Sequence, residues 1–132
     1  MKGYATTLEK ETLKNTDFRR VLYTAKYSQL VLMCLKPGEE IGSEVHQDRD
    51  QFFRFEMGEG AVMIDDVKNP VKDGVGVIVP AGAKHNVVNT SKKSDLKLYT
   101  IYSPPEHIDK VVRHTKADAE AAPEEYDGKT TE

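Results

Sequence analysis

Apolar runs in this chain are short, and turn-forming residues interrupt them at intervals of roughly ten residues. That rhythm leaves little room for helices. Stretches 20–24, 29–35, 44–46, 51–55, 61–64, 75–79, 85–89 and 96–102 each read as a strand. Pro37-Gly38, Gly58-Glu59-Gly60, Asp65-Asp66 and Pro80-Ala81-Gly82 read as the turns that stop them. Eight short strands without a helix between them predict an all-β chain. Antiparallel sheets of this kind close into a sandwich or barrel, because closure hides edges that would otherwise aggregate. The 132 residues suit one domain, placed at 1–115. Within it, residues 5–18 are polar except for Leu8, Leu13 and Phe18, and read as an arm or a short strand. Over 116–132 two lysines face six carboxylates, with Pro123 and Gly128 among them. That segment is expected to be a mobile acidic tail without a function of its own.

Charge and hydropathy exclude several function classes. A net charge of −3 offers no basic surface for nucleic acid or an anionic membrane. No apolar run approaches the ~18 residues of a spanning helix. Residues 1–7 lack the apolar stretch of a signal peptide. The single cysteine, Cys34, excludes an internal disulfide and reads as a small buried hydrophobe. A cytoplasmic location is the expectation.

Two segments carry the chemistry. Glu44 and His46 are two apart, so on a strand they share a face. Asp48-Arg49-Asp50 reads as a turn after which Gln51 opens the next strand, and a hairpin there brings Gln51 opposite the Glu44/His46 pair. Pro80 and Gly82 make a corner from which His85 starts another strand with its side chain free to point inward. Two imidazoles, one carboxylate and one amide oxygen then converge inside the barrel. Two His and a carboxylate with open positions suit a divalent transition metal, as in non-haem Fe(II) centres. The absence of thiolates argues against a structural zinc site. Fe, Mn, Ni, Co and catalytic Zn all remain open.

At these residues the sequence resembles the cupin superfamily. Its first motif runs Gly, five residues, His-x-His, three or four residues, Glu, six residues, Gly. Gly38, Glu44, His46, Gln51 and Gly58 match every spacing. The second motif runs Gly, five residues, Pro-x-Gly, two residues, His, three residues, Asn. Gly74, Pro80, Gly82, His85 and Asn89 match it in residue and spacing. Glu44 stands where the first His is usual and Gln51 where Glu is usual. The exchange keeps one carboxylate but changes three nitrogens and one oxygen into two of each. An alternative register, with His46 and Asp48 as the His pair, breaks the spacing to both flanking glycines. The resemblance covers roughly residues 20–105. It implies a double-stranded jelly-roll barrel with one divalent metal held by Glu44, His46, Gln51 and His85.

The resemblance also implies a function range. A metal-dependent enzyme acting on a small molecule is the first expectation. Its chemistry is oxygenation of an enol or diol with Fe or Mn, or isomerisation of a sugar or keto compound with Zn, Ni or Mn. A non-catalytic small-molecule or metal-binding barrel is the alternative, and a metal-free isomerase using His46 or His85 as base is a third. The resemblance implies a homodimer paired through sheet edges. Phe53 and Phe55 share Gln51's face by parity, and Arg54 takes the opposite one. His107 and His114, beyond Ser103-Pro104-Pro105, are expected at the surface, with closure over the barrel mouth the alternative for His107. Tyr99 and Tyr102 point to opposite faces, so only one of them can reach the interior.

Overall fold

In the computed structural model, which describes residues 1–132, a helix α1 (Leu8–Lys14) comes first. Strands β1 (Arg19–Thr24), β2 (Gln29–Leu35), β3 (Glu44–Val45), β4 (Asp50–Met57) and β5 (Glu59–Ile64) follow. Then come β6 (Val67–Lys72), β7 (Gly76–Val79), β8 (Lys84–Asn89), β9 (Leu96–Ser103), β10 (Val112–Arg113) and a second helix α2 (Lys116–Ala121). One sheet has six strands in the order β10-β1-β2-β9-β4-β7, the other four in the order β3-β8-β5-β6. Every pairing is antiparallel, as the turn rhythm predicted. No helix is long and apolar enough to cross a membrane.

Strand parity sets what faces the interior. Across the large sheet Gln29, Tyr102, Gln51 and Val79 fall in one register row. Val31, Thr100 and Phe53 form the next row, Met33, Leu98 and Phe55 the third, and Leu35 with Leu96 the last. In the small sheet Val62 faces Val87, and His85 lies between Ile64 and Glu44. The interior is therefore apolar at one end and polar at the other. Phe53, Phe55, Leu96 and Leu98 are buried in one core cluster with Val62 and Val87.

The turns do what their residues allow. Asp65 and Asp66 both adopt positive φ, +43° and +69°, as a two-residue I′ hairpin requires between Ile64 and Val67. Gly58, at φ +94°, passes so close to Asp95 that a Cβ there would lie 2.3 Å from the Asp95 carbonyl oxygen. Only glycine fits.

Four features differ from the sequence expectation. Strands β6 and β10 are additional. Pro70, Lys68 and Lys72 hid β6, which is an edge strand where proline is tolerated. The N-terminal arm contains helix α1, packed over β9 and β4, and the Lys97 ammonium donates to the Leu13 carbonyl at 2.6 Å. Residues 116–132, read from sequence as a tail apart from the barrel, return to it. The Tyr126 N–H donates to the Glu106 carbonyl and the Thr131 N–H to the Thr24 carbonyl, each at 2.9 Å.

Candidate metal centre

Glu44 and His85 are direct partners in the β3–β8 ladder, so their side chains leave the sheet side by side. His46 follows β3 with the parity of Glu44. Its backbone is tied to the Pro80–Gly82 corner, the Gly82 N–H donating to the His46 carbonyl at 2.8 Å. Ligand atoms of Glu44, His46 and His85 all lie within 4.8 Å of one another. The two imidazole rings are 5.3 Å apart, and Phe53 lies 6.3 Å from the His85 ring on the core side.

Surrounding contacts orient each imidazole. His85 Nδ1 is 3.2 Å from the Ala83 carbonyl oxygen, to which it donates, so Nε2 is the ring nitrogen available to a metal. Behind His46, Nδ1 lies 3.5 Å from Glu106 Oε2, and Arg49 Nη1 holds the same oxygen at 3.0 Å. That leaves His46 Nε2 facing Glu44 Oε2 at 2.9 Å. The two atoms are close but misaligned for a hydrogen bond, and Nε2 is buried without a hydrogen-bond partner. Buried polar atoms are rarely left so. Three ligand atoms this close, one of them a buried imidazole nitrogen without a hydrogen-bond partner, fit a shared cation. Burial works against ionising Glu44, but His46 and then His85 outweigh it and hold the carboxyl below its ordinary range. Glu44 in turn raises His46, against the opposing effect of burial and with help from Glu106.

Gln51 is placed differently from the sequence expectation. No hairpin pairs it with Glu44 and His46. The turn after His46 instead carries the chain from the small sheet to the large one, where Gln51 pairs with Val79 and Tyr102. β3 pairs instead with β8, Glu44 opposite His85 and Val45 opposite Lys84. Gln51 is buried, its amide nitrogen donates to Thr100 Oγ1 at 2.9 Å, and its Oε1 has no partner.

Several residues that sequence reasoning passed over gather at this end. His107, expected at the surface, is buried. Its Nε2 lies 3.2 Å from the Tyr102 hydroxyl and its Nδ1 3.1 Å from Glu124 Oε1. Tyr102 is thus the tyrosine that faces inward, while Tyr99 packs outside against Phe52 at 6.3 Å. Burial lowers His107, only partly offset by Glu124, and raises Tyr102 far above a free phenol. A carboxylate only accepts, so His107 Nδ1 donates to Glu124, and in the neutral imidazole Nε2 accepts from the Tyr102 hydroxyl. His114 is exposed as expected, with Nδ1 2.6 Å from Asp17 Oδ1. A cavity of about 270 Å³ opens beside the centre, lined among others by Glu44, His46, Glu106, Arg19, Lys116 and Glu124.

Two facing antiparallel sheets with a His/His/carboxylate cluster at one end define a jelly-roll barrel of the cupin class. The cupin domain family matches residues 31–102. The chain is 43% identical over 127 residues to YrkC of Bacillus subtilis, spanning 92% of this chain and 68% of that protein. It is 41% identical to BH2720 of Bacillus halodurans, whose crystal structure superposes with a TM-score of 0.88 over 92% of this chain and 96% of that one. KdgF from Halomonas sp. shares the fold at a TM-score of 0.61 with 18% identity, over 66% of this chain and 77% of that one. The chain belongs to the cupin domain family.

Proposed function

We propose that this protein is a metal-dependent cupin enzyme acting on a small molecule that enters the cavity beside Glu44 and His46. Glu44, His46 and His85 are the residues that would hold the ion, and Gln51 supplies a fourth oxygen or orients what binds there. The observation that carries the reading is the convergence of three ligand atoms within 4.8 Å around a buried, unpartnered His46 Nε2. A divalent ion in such a place polarises a bound oxygen as a Lewis acid. The chain's own residues do the rest. Glu106 and the Ala83 carbonyl fix the two imidazoles, and Phe53 limits water on the core side. Oxygenation and isomerisation of a hydroxylated or keto compound both suit this donor set.

The test is elemental analysis of the purified protein beside a His46→Ala, His85→Ala double variant. The expected outcome is near-stoichiometric Fe, Mn, Ni or Zn in the wild type and none in the variant. Wild-type protein that stays metal-free after reconstitution overturns the assignment.

A further inference from the structure

The Glu124 carboxylate has an unusual setting for a residue in an acidic C-terminal run. Its side chain is 4% exposed. His107 Nδ1 lies 3.1 Å from Oε1, Arg19 Nη1 lies 3.6 Å from the same oxygen, and Arg113 Nη2 lies 3.3 Å from Oε2. Three donors from β1, β10 and the segment after β9 thus converge on one carboxylate. The nook has donor capacity left over, because Arg19 Nε and Arg113 Nε are buried without hydrogen-bond partners. It also opens on the cavity that Glu44 and His46 line.

Apart from Glu124, the segment that delivers it is held by hydrogen bonds rather than by buried apolar contact: Arg113 Nη2 donates to the Ala122 carbonyl and the Thr131 N–H to the Thr24 carbonyl, each at 2.9 Å. Helix α2 buries none of its residues fully, and only Ala119 packs against the core from its exposed turns. Thr115 caps it through the Asp118 N–H at 3.0 Å. Beyond Glu124, the Tyr126 N–H meets the Glu106 carbonyl. Segments with few buried apolar contacts open at low cost. The nook itself belongs to the barrel and stays when the segment lifts.

We propose that Arg19, His107 and Arg113 form a carboxylate-binding subsite contiguous with the metal centre, that Glu124 occupies it as an internal stand-in, and that the protein's small-molecule ligand carries a carboxylate which exchanges with Glu124. Arginine suits the role because its planar donors match a carboxylate in two places at once. The ligand class rests on the small-molecule reading of the cavity, whereas carboxylate binding in the nook needs no metal.

The experiment empties the nook and refills it. Full-length Glu124→Ala protein, as purified and again after dialysis against EDTA, is melted with sodium acetate or with sodium chloride at equal ionic strength. Acetate is expected to raise the Tm of Glu124→Ala by several degrees, saturably, with or without metal. Adding Arg19→Met should abolish the response. No acetate-specific rise in folded Glu124→Ala, or a rise that survives Arg19→Met undiminished, overturns the proposal. Should Glu124→Ala not fold, Glu124→Gln keeps the side chain's shape and weakens the latch. Trypsin should then cut at Lys116 several-fold faster in succinate than in its neutral diamide, and equal rates overturn the proposal. The EDTA arm separates the two readings. An acetate response in protein that takes up no metal even on reconstitution sinks only the metal assignment, and metal uptake without an acetate response sinks only the subsite.

Discussion

The two ends of the barrel use the same strands under opposite rules. At one end Met33, Leu35, Phe55, Leu96 and Leu98 meet in register, each fully buried. Apolar burial is non-directional, worth about 2 kcal/mol for each such side chain. At the other end Gln29, Gln51, Tyr102, His85 and His107 are nearly as buried, but each must find a partner. Gln29 succeeds, donating to Thr24 Oγ1 and the His107 carbonyl and accepting from the His107 N–H. His46 Nε2 and Gln51 Oε1 do not. An unmet buried polar atom costs about 1–3 kcal/mol. Stability thus resides in the apolar end and unspent coordinating capacity in the polar one.

The largest expected effect lies in the apolar end. Phe55→Ala should cost about 3–5 kcal/mol through lost transfer energy and the cavity left behind. Urea unfolding measures it, and a loss under about 1 kcal/mol would break the contrast. An intermediate effect is expected where polar groups are well paired. Asp17 is buried, with Arg20 Nη2 at 2.8 Å and His114 Nδ1 at 2.6 Å. Burial raises its carboxyl, but His114 and Arg20 outweigh this and hold it below the ordinary value. Its contribution is therefore present above the unfolded pKa and is lost as pH falls below about 4, through the folded value. Asp17→Asn should cost about 1–2 kcal/mol at neutral pH, with melting curves that converge on the wild type in acid. The smallest effect is expected at the centre. Removing both partners of a buried hydrogen bond is nearly neutral, so Gln51→Met with Thr100→Val should shift metal-free stability by under about 1 kcal/mol. A larger loss in chemical denaturation would show that Gln51 serves packing rather than the site.

The parts of this plan that depend on local pattern were legible in the sequence. Parity placed Phe53 and Phe55 inward and Arg54 outward, where it pairs with Glu56 at 2.8 Å. Motif spacing singled out Glu44, His46 and His85, which the fold brings together. What stayed hidden depends on pairing between distant segments. The Gln51 hairpin was inferred from adjacency, but a two-residue strand pairs with whichever edge the barrel offers. His107 follows two prolines and looked like a surface loop until β1 and β10 closed around it. Glu124 sits in a run of charges that reads as solvated, because the arginines that hold it come from β1 and β10.

One consequence follows from the β3–β8 ladder. Glu44 and His85 become neighbours only when two widely separated stretches of chain have zipped together. The extended polypeptide leaves His85 far from the Glu44/His46 pair, so the three-ligand site exists only once the barrel has closed. An ion held there would act as a brake on escape from the folded state rather than an aid to reaching it. It would lengthen the protein's lifetime without hastening its birth.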